Sequence, residues 1–74
     1  MNLYRLSTDC GGYDSYDSFI VAARSEEEAR KFANEQHADE GPVWVDSKLA
    51  SCVVIGRACS SVAAGIVLGS FNAG

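Results

Sequence analysis

The sequence is poor in the residues from which metal and redox sites are built. It has three cysteines and one histidine, and no two cysteines form a Cys-x-x-Cys pair. A structural zinc site needs four well-spaced ligands, so we expect no metal and no other cofactor. The apolar stretch at residues 62–68 is too short and too rich in glycine to span a membrane, and residues 1–6 contain no apolar run typical of a signal peptide. These absences predict a cytoplasmic protein without a membrane partner.

Acidic residues are absent from residues 47–74, which carry only Lys48 and Arg57 as charged side chains. All ten acidic residues lie in residues 1–46 with four basic ones, which gives that part a net charge of −6 within a chain total of −4. Nucleic-acid phosphates repel such a surface, so we expect no direct binding of nucleic acid. A basic protein partner fits this distribution of charge.

One segment, Ser25–His37, has the pattern of an amphipathic helix. Ser25 and Glu28 form a capping box, and glutamates place negative charge in the first turn, where the helix dipole favours it. Two ion pairs at i, i+4 spacing are expected, Glu26–Arg30 and Glu27–Lys31. The stripe at i, i+3, i+4 and i+7 consists of Ala29, Phe32, Ala33 and Gln36. Because this stripe is narrow, we expect the helix to lie close against a sheet.

Segments with strand-like patterns surround this helix. They are Asn2–Ser7, Phe19–Ala23, Leu49–Ala58 and Ala63–Phe71. Val43–Val45 is predicted as a short extended piece, and the tandem Tyr13–Ser18 as an exposed loop running into the second strand. The prediction is one small α+β domain over residues 1–74: a mostly antiparallel four-stranded sheet in the order β-β-α-β-β, with one helix on one face. Because nothing else covers the other face, we expect a homodimer or another protein there.

The sequence offers few of the combinations that catalysis requires. A cysteine nucleophile needs a nearby base, and His37, the only histidine, sits at a helix C-terminus, where a polar residue is ordinary. Cys10-Gly11-Gly12 precedes a loop and not a helix, so it is no phosphate-binding loop. We therefore predict no enzyme and no catalytic residues. Cys52 alternates with valines and is expected in the core, whereas the odd cysteine count makes Cys10 and Cys59 candidates for an intermolecular disulfide.

Acidic and aromatic residues cluster on both sides of the predicted second strand. The predicted partner-binding set comprises Asp9, Tyr13, Asp14, Tyr16 and Asp17 before the strand, and Glu26, Glu27 and Glu28 after it. The ends of a short strand are about 17–20 Å apart, so the acids form a row on the scale of DNA phosphates, with tyrosines of the kind that anchor interfaces. The alternative is that the glutamates serve only the helix N-terminus and the aspartates serve only turns.

Five blocks of sequence carry a resemblance to known proteins. They are Tyr4–Ser7, Tyr13–Ser18, Ser25–Arg30, Ile55–Ala58 and Ser70–Gly74. In this order they resemble a group of small phage and prophage proteins of unassigned role, and the resemblance covers most of the chain. In size, acidity and phage-like character the chain is also similar to the anti-CRISPR proteins, which bind Cas proteins and share no common fold.

The resemblance implies a phage-encoded acidic inhibitor that acts in the cytoplasm of a host bacterial cell. Its expected partner is a host CRISPR–Cas surveillance complex, whose basic nucleic-acid channel it occupies so that target DNA is excluded. The alternative is a non-enzymatic, dimeric phage accessory module that pairs through its uncovered sheet face.

Overall fold

The structure is a computed structural model, and it describes residues 1–73. The elements along the chain are β1 (Asn2–Thr8), β2 (Ser15–Ala23), α1 (Glu26–Gln36), β3 (Ala50–Arg57) and β4 (Gly65–Asn72). The strands form one antiparallel sheet in the spatial order β3-β1-β2-β4, and α1 packs mainly on β2. The predicted α+β class is confirmed. The spatial order differs from the chain order because β3 and β4 add to the two outer sides of the β1–β2 hairpin.

The second strand is longer than the sequence predicted. β2 begins at Ser15, so the prediction that Tyr13–Ser18 is an exposed loop is wrong for residues 15–18. This polar run pairs with β4, from Ser15 opposite Asn72 to Ser18 opposite Ser70, and its last residue, Ser18, also pairs with Ser7 of β1. Hydrogen bonds from two neighbouring strands outweigh the local preference of Asp and Ser for turns.

The helix has the predicted bounds and N-cap. Ser25 Oγ accepts the N–H of Glu28 at 3.1 Å, and His37 is the C-cap residue. The carboxylate of Glu28 accepts the N–H of Arg24 at 2.9 Å, one residue earlier than the reciprocal bond of a standard capping box. The first turn of α1 is therefore fixed by short-range contacts that the sequence pattern indicates.

The core lies between α1 and the sheet. The helix contributes Ala29 and Ala33, whose small side chains let it lie close to the strands, as the narrow stripe predicted. The sheet contributes alternate residues of its two central strands, Tyr4, Leu6, Phe19 and Val21. Their period of two is that of a strand with one face buried.

The segment between α1 and β3 closes the core, and it is not the extended piece predicted for Val43–Val45. It consists of turns, in which Trp44 is fully buried while Val45 is exposed. Trp44 packs edge-on against Phe19, with ring centroids 4.8 Å apart. The turns direct the indole into the core, and the free energy gained by burying this large ring favours the turns over an extended backbone.

Arg30 ties the helix to this segment. Its side chain is only 10% exposed, and its Nη1 donates to the carbonyl oxygens of Trp44 and Ala50, each at 2.9 Å. Its Nε donates to the carboxylate of Glu26 at 2.9 Å, which is the predicted i, i+4 pair. The sequence predicted a surface ion pair, whereas the guanidinium also satisfies two buried carbonyl groups.

Glu40 joins the same segment to β2. Its Oε1 accepts the N–H groups of Tyr16 at 2.9 Å and Ala38 at 3.1 Å, and its Oε2 accepts Nε1–H of Trp44 at 2.7 Å. Burial by itself raises the pKa of this carboxyl group. The hydrogen-bond donors, led by Trp44, together lower the pKa by more than burial raises it, so the pKa lies below the ordinary value.

Glu40→Gln is expected to lower the free energy of unfolding by about 2 kcal/mol at neutral pH, because an amide nitrogen then faces one of the N–H donors. The lowered folded-state pKa means that the carboxylate stabilises the fold above the ordinary glutamate pKa, and that this contribution is lost as the pH falls through the folded-state pKa. The difference between wild type and variant should therefore shrink on acidification in urea unfolding at stepped pH values.

The control for this prediction is Glu35→Gln, at an exposed position on α1. It should leave the free energy of unfolding nearly unchanged at every pH. A difference between wild type and Glu40→Gln that stays constant from neutral to acidic pH would contradict the prediction.

Within residues 1–73 no helix or loop packs on the sheet face opposite α1. We call this face the open face. Residues paired across the four strands form three rows on it. The first row is entirely serine: Ser51, Ser7, Ser18 and Ser70. The second row consists of Val53, Arg5, Ile20 and Leu68. The third row consists of Gly56, Leu3, Ala22 and Gly65.

Exposure of apolar side chains on the open face concentrates on the two edge strands. Ala22 is buried, and Leu3 and Ile20 are half-buried. Val53 on β3 and Leu68 on β4 are 51% and 64% exposed. The open face therefore exposes most of its apolar surface on its two edge strands, β3 and β4.

Candidate protein-binding surface

Exposed carboxylates gather at one end of the domain, where β1 runs into β2. They come from separate parts of the chain and are Asp9, Asp14, Asp17, Glu35, Asp39 and Asp46. We call this region the hairpin end. The exposed charges of these turns and strand ends, six carboxylates and Lys48, sum to −5. The buried carboxylate of Glu40 lies at the same end, and Lys31 lines a groove with Glu35.

Hydrogen bonds hold the parts of the hairpin end together. The N–H of Asp14 donates to the carbonyl of Asn72 at 2.6 Å, and the N–H of Asp39 donates to the carbonyl of Asp14 at 3.0 Å. These two bonds join the end of β4, the β1–β2 connection and the segment after α1. Thr8 Oγ1 donates to the carbonyl of Leu49 at 2.7 Å, which ties the turn before β3 to the end of β1.

The connection between β1 and β2 is shaped around Ser15. The buried hydroxyl accepts the N–H of Gly12 at 2.8 Å and donates to the carbonyl of the same residue at 2.7 Å. A Cβ at Gly11 would come within 2.6 Å of Ser15 Oγ, so only glycine fits there. Asp14 takes a left-handed conformation with φ of 56°, which aspartate tolerates better than most residues.

The three glutamates at the start of α1 lie at the opposite end of the domain. β2 spans nine residues, so its two ends are about 26 Å apart, more than the distance expected for the shorter predicted strand. The eight residues of the predicted set therefore do not form one continuous row.

Basic residues compensate two of these glutamates. Glu26 pairs with Arg30 at 2.9 Å, and Glu28 pairs with Arg24 at 3.6 Å. Within residues 1–73 the predicted Glu27–Lys31 pair does not form, although both side chains line the same surface groove along α1. The uncompensated negative charge of the domain is thus concentrated at the hairpin end.

The two tyrosines of the predicted set have different environments. Tyr13 projects from the hairpin end and is 76% exposed. Tyr16 is half-buried, with its ring centroid 4.6 Å from that of Phe19 and 5.0 Å from that of Phe71. Its hydroxyl accepts Nε2–H of Gln36 at 3.2 Å. Tyr16 therefore supports the surface from within, and Tyr13 is the aromatic side chain offered to a partner.

Sequence reasoning found only half of the acids at the hairpin end. It selected Asp9, Asp14 and Asp17, and it missed Glu35, Asp39 and Asp46. The direction of the helix could have predicted the three missed acids. A helix that follows a strand and returns across the sheet brings its C-terminus back to the start of that strand, so acids after α1 join those before β2.

The remaining candidate residues are not drawn into this surface. His37 Nδ1 lies 2.5 Å from the carbonyl oxygen of Asn34, which is a local contact at the helix end. Cys52 packs against the core, and burial raises the pKa of its thiol. Cys10 and Cys59 are exposed free thiols, and a hydrogen bond with Ser61 lowers the pKa of Cys59. An intermolecular disulfide through either of them stays a prediction.

The acids of the hairpin end are spread over its surface and do not converge on a point. Among residues 1–73 no three His, Cys, Asp or Glu side chains are grouped so as to hold a metal ion. What the arrangement offers is a fixed, negatively charged surface with an exposed aromatic ring. Such a surface is complementary to one that is rich in arginine and lysine.

Comparison with known proteins finds no match. No protein-family model matches the chain, and neither a curated protein nor a solved structure is significantly similar to it. The helix that the structure describes is neither long enough nor apolar enough to cross a membrane.

Proposed function

We propose that this chain is a phage-encoded, non-enzymatic inhibitor of the anti-CRISPR type. It inserts its hairpin end into the basic nucleic-acid channel of a host CRISPR–Cas surveillance complex, in the cytoplasm of the bacterial cell, and so excludes target DNA. The observation that carries the proposal is the separation of charge: the exposed charged side chains of the hairpin end sum to −5, whereas two glutamates at the other end are paired with arginines. The resemblance to small phage proteins supports the choice of partner.

The mechanism is occupancy of the channel. DNA carries one negative charge per roughly 1.7 Å of helix axis, and a protein channel that binds it lines up arginine and lysine side chains for these phosphates. Carboxylates held on a hydrogen-bonded surface satisfy the same cations without offering a strand to be read or cut. Tyr13 adds an exposed ring of the kind that anchors interfaces. Because the attraction is between charges, binding weakens as salt is raised.

A matched pair of charge reversals on α1 tests which end of the domain binds. Glu35→Lys and Glu27→Lys change the net charge equally, at exposed positions two turns apart on the same helix. Glu35→Lys by itself should weaken partner binding, and its combination with Asp17→Lys should weaken binding by about tenfold or more, because two attractive contacts become repulsive. Glu27→Lys should bind nearly as wild type. Equal effects of the two reversals would show that the hairpin end is not the binding surface.

The partner is identified by pull-down with the tagged protein from lysate of a CRISPR-bearing host. Retained proteins are eluted first with short duplex DNA and then with high salt, and are identified by mass spectrometry. The expected result is a set of Cas subunits that DNA displaces and that the Glu35→Lys, Asp17→Lys variant fails to retain. Recovery of the protein alone, or of partners that neither DNA nor salt releases, would overturn the proposal.

A second candidate function is a non-enzymatic phage accessory module that works as a dimer. The observation in its favour is the exposure of large apolar residues on both edge strands, such as Val53 and Leu68. Such exposure is typical of surfaces that a partner covers. Size-exclusion chromatography with light scattering tests it, and a strict monomer would remove its basis.

A further inference from the structure

At the end of the domain opposite the hairpin end, the strand register brings two arginines to one surface cavity. Asn2, at the start of β1, pairs with Ala23 of β2 on one side and with Arg57 of β3 on the other. Arg24 directly follows Ala23. The two arginines line a cavity of about 390 Å³ together with Asn2 and Met1. We call it the arginine cavity.

The charged side chains that line the arginine cavity are both cationic. No carboxylate among residues 1–73 belongs to its lining, although the chain has ten acidic residues and only six basic ones. The groove along α1, by contrast, combines three glutamates with Lys31. The arginine cavity is therefore a local reversal of the charge of the domain, and an anion is its electrostatic complement.

Both guanidinium groups have donors left for a ligand. Within residues 1–73 the side chain of Arg57 takes part in no ion pair and no hydrogen bond. Arg24 contacts Glu28 through Nη1 at 3.6 Å, and its side chain is 72% exposed, so this pair contributes little. A guanidinium group has five N–H donors. Arg24 therefore keeps its contact with Glu28 and still has donors for an anion.

The spacing of the strands matches one tetrahedral anion with a guanidinium group on each side. The two arginines flank β1, and the backbones of strands two positions apart in a sheet are separated by about 10 Å. Asn2 lies between them, and its Nδ2 donates to the hydroxyl of Tyr4 at 3.5 Å, which leaves a second N–H for a ligand. The N–H of Ala58 donates to the carbonyl of Met1 at 3.0 Å, so the end of β3 is tied to the start of β1.

We propose that the arginine cavity binds a phosphate monoester, the group that a nucleotide or the 5′ end of a nucleic-acid strand carries. Guanidinium groups bind phosphate oxygens through paired N–H donors. Two of them match the charge of a phosphate monoester, about −1.5 to −2 at pH 7, whereas a carboxylate carries one charge. The inference does not rest on the proposed binding of a basic channel, because it concerns the opposite end of the domain.

A matched pair of arginine substitutions tests the site. Arg57→Gln removes a guanidinium group from the cavity, whereas Arg5→Gln removes an exposed one from the open face. The two variants have the same net charge, and circular dichroism checks that both fold. Arg57→Gln should raise the dissociation constant for adenosine 5′-monophosphate by about tenfold or more, because a charge-assisted contact is lost. Arg24→Gln should act in the same direction, and Arg5→Gln should leave the constant nearly unchanged.

Nuclear magnetic resonance titration of the isotope-labelled protein measures this binding at low salt. The expected result is a saturable shift of the amide signals of residues 2, 24 and 57, with a dissociation constant of about 1 mM or lower. Inorganic phosphate should compete, and adenosine, which lacks the phosphate, should not bind. Absence of a saturable shift at millimolar nucleotide would overturn the inference. Equal losses of affinity in Arg57→Gln and Arg5→Gln would also overturn it, because they indicate attraction by overall charge.

Two short single-stranded oligonucleotides, with and without a 5′ phosphate, distinguish the carriers of the group. The phosphorylated strand should bind more tightly than the unphosphorylated one. If it also binds more tightly than adenosine 5′-monophosphate, the ligand is a strand end, and otherwise it is a free nucleotide. Equal binding of the two strands, tighter than that of the nucleotide, would contradict the proposal, because phosphodiesters would then be the ligand.

The hairpin-end variant separates this proposal from the proposed function. Glu35→Lys combined with Asp17→Lys changes residues outside the arginine cavity, so it should bind adenosine 5′-monophosphate nearly as wild type while it loses the basic partner. Failure of the channel proposal therefore leaves nucleotide binding in place, and failure of nucleotide binding leaves the pull-down result in place.

Discussion

Replacing Trp44 by alanine is expected to lower the free energy of unfolding by about 3–5 kcal/mol. The indole is fully buried, packs on Phe19 and donates to Glu40, so the variant loses apolar burial, a ring contact and a donor together. A domain of 74 residues has a total stability of about 4–11 kcal/mol. The loss is therefore a large part of the total, and the variant should be mostly unfolded in mild urea.

The measurement and its control follow from the same contacts. Trp44 is the only tryptophan, so unfolding is followed by far-ultraviolet circular dichroism, because fluorescence is lost in the variant. Trp44→Phe keeps an aromatic ring but removes the N–H that Glu40 accepts, and it should cost about 1–3 kcal/mol. If Trp44→Ala unfolds at nearly the same urea concentration as wild type, the 37–49 segment does not close the core as described.

Arg30→Met is expected to lower the free energy of unfolding by about 3 kcal/mol. Methionine fills much of the volume of the arginine stem but donates no hydrogen bond, so the carbonyl groups of Trp44 and Ala50 lose their partner. Each buried carbonyl left without a donor costs about 1–3 kcal/mol. The surface pair with Glu26 adds little to this loss, because that carboxylate is more than half exposed.

Lys31→Met on the next residue of the helix is the matched control. Lys31 is exposed, and surface substitutions of this kind usually change stability by about 0.5 kcal/mol or less. Urea unfolding of both variants separates the two contributions of Arg30. If Arg30→Met and Lys31→Met destabilise the protein equally, Arg30 acts only as a surface charge, and the buried bonds to the 37–49 segment do not contribute.

Both substitutions bear on the hairpin end as well as on stability. Trp44 and Arg30 hold the segment that carries Glu40, and Glu40 in turn accepts the N–H groups of Tyr16 and Ala38. Asp39 lies between Ala38 and Glu40, and its N–H donates to the carbonyl of Asp14. The acidic surface is thus built on a chain of hydrogen bonds that begins in the core, which gives its carboxylates fixed positions.

Part of the fold could be predicted because its causes are local in the sequence. The helix and its N-cap depend on contacts between residues three or four apart, such as Ser25 with Glu28, and the sequence displays these spacings directly. The strand-forming segments are short runs rich in β-branched and aromatic residues, such as Val53-Val54-Ile55, so the α+β class followed. The sequence also determined the net charge and the absence of acids from residues 47–74.

The errors arose where distant neighbours outweigh local preference. Residues 15–18 have turn-forming side chains, yet the run pairs with β4, and Ser18 pairs with β1 as well. Val43–Val45 has strand-forming side chains, yet burial of one indole bends it into turns. In both places the deciding hydrogen bonds or contacts join residues far apart in the chain, which a local pattern does not record.

The candidate surfaces show the same division. The sequence by itself determined which carboxylates and serines exist, and it placed half of the hairpin-end acids together because Asp9, Asp14 and Asp17 are neighbours in the chain. Only the tertiary structure decided that Glu35, Asp39 and Asp46 join them, because the return of α1 and the turn before β3 bring these residues to the same end. Only the strand register decided that four serines form one row on the open face, since a shift of one residue would turn each of them to the other side of the sheet.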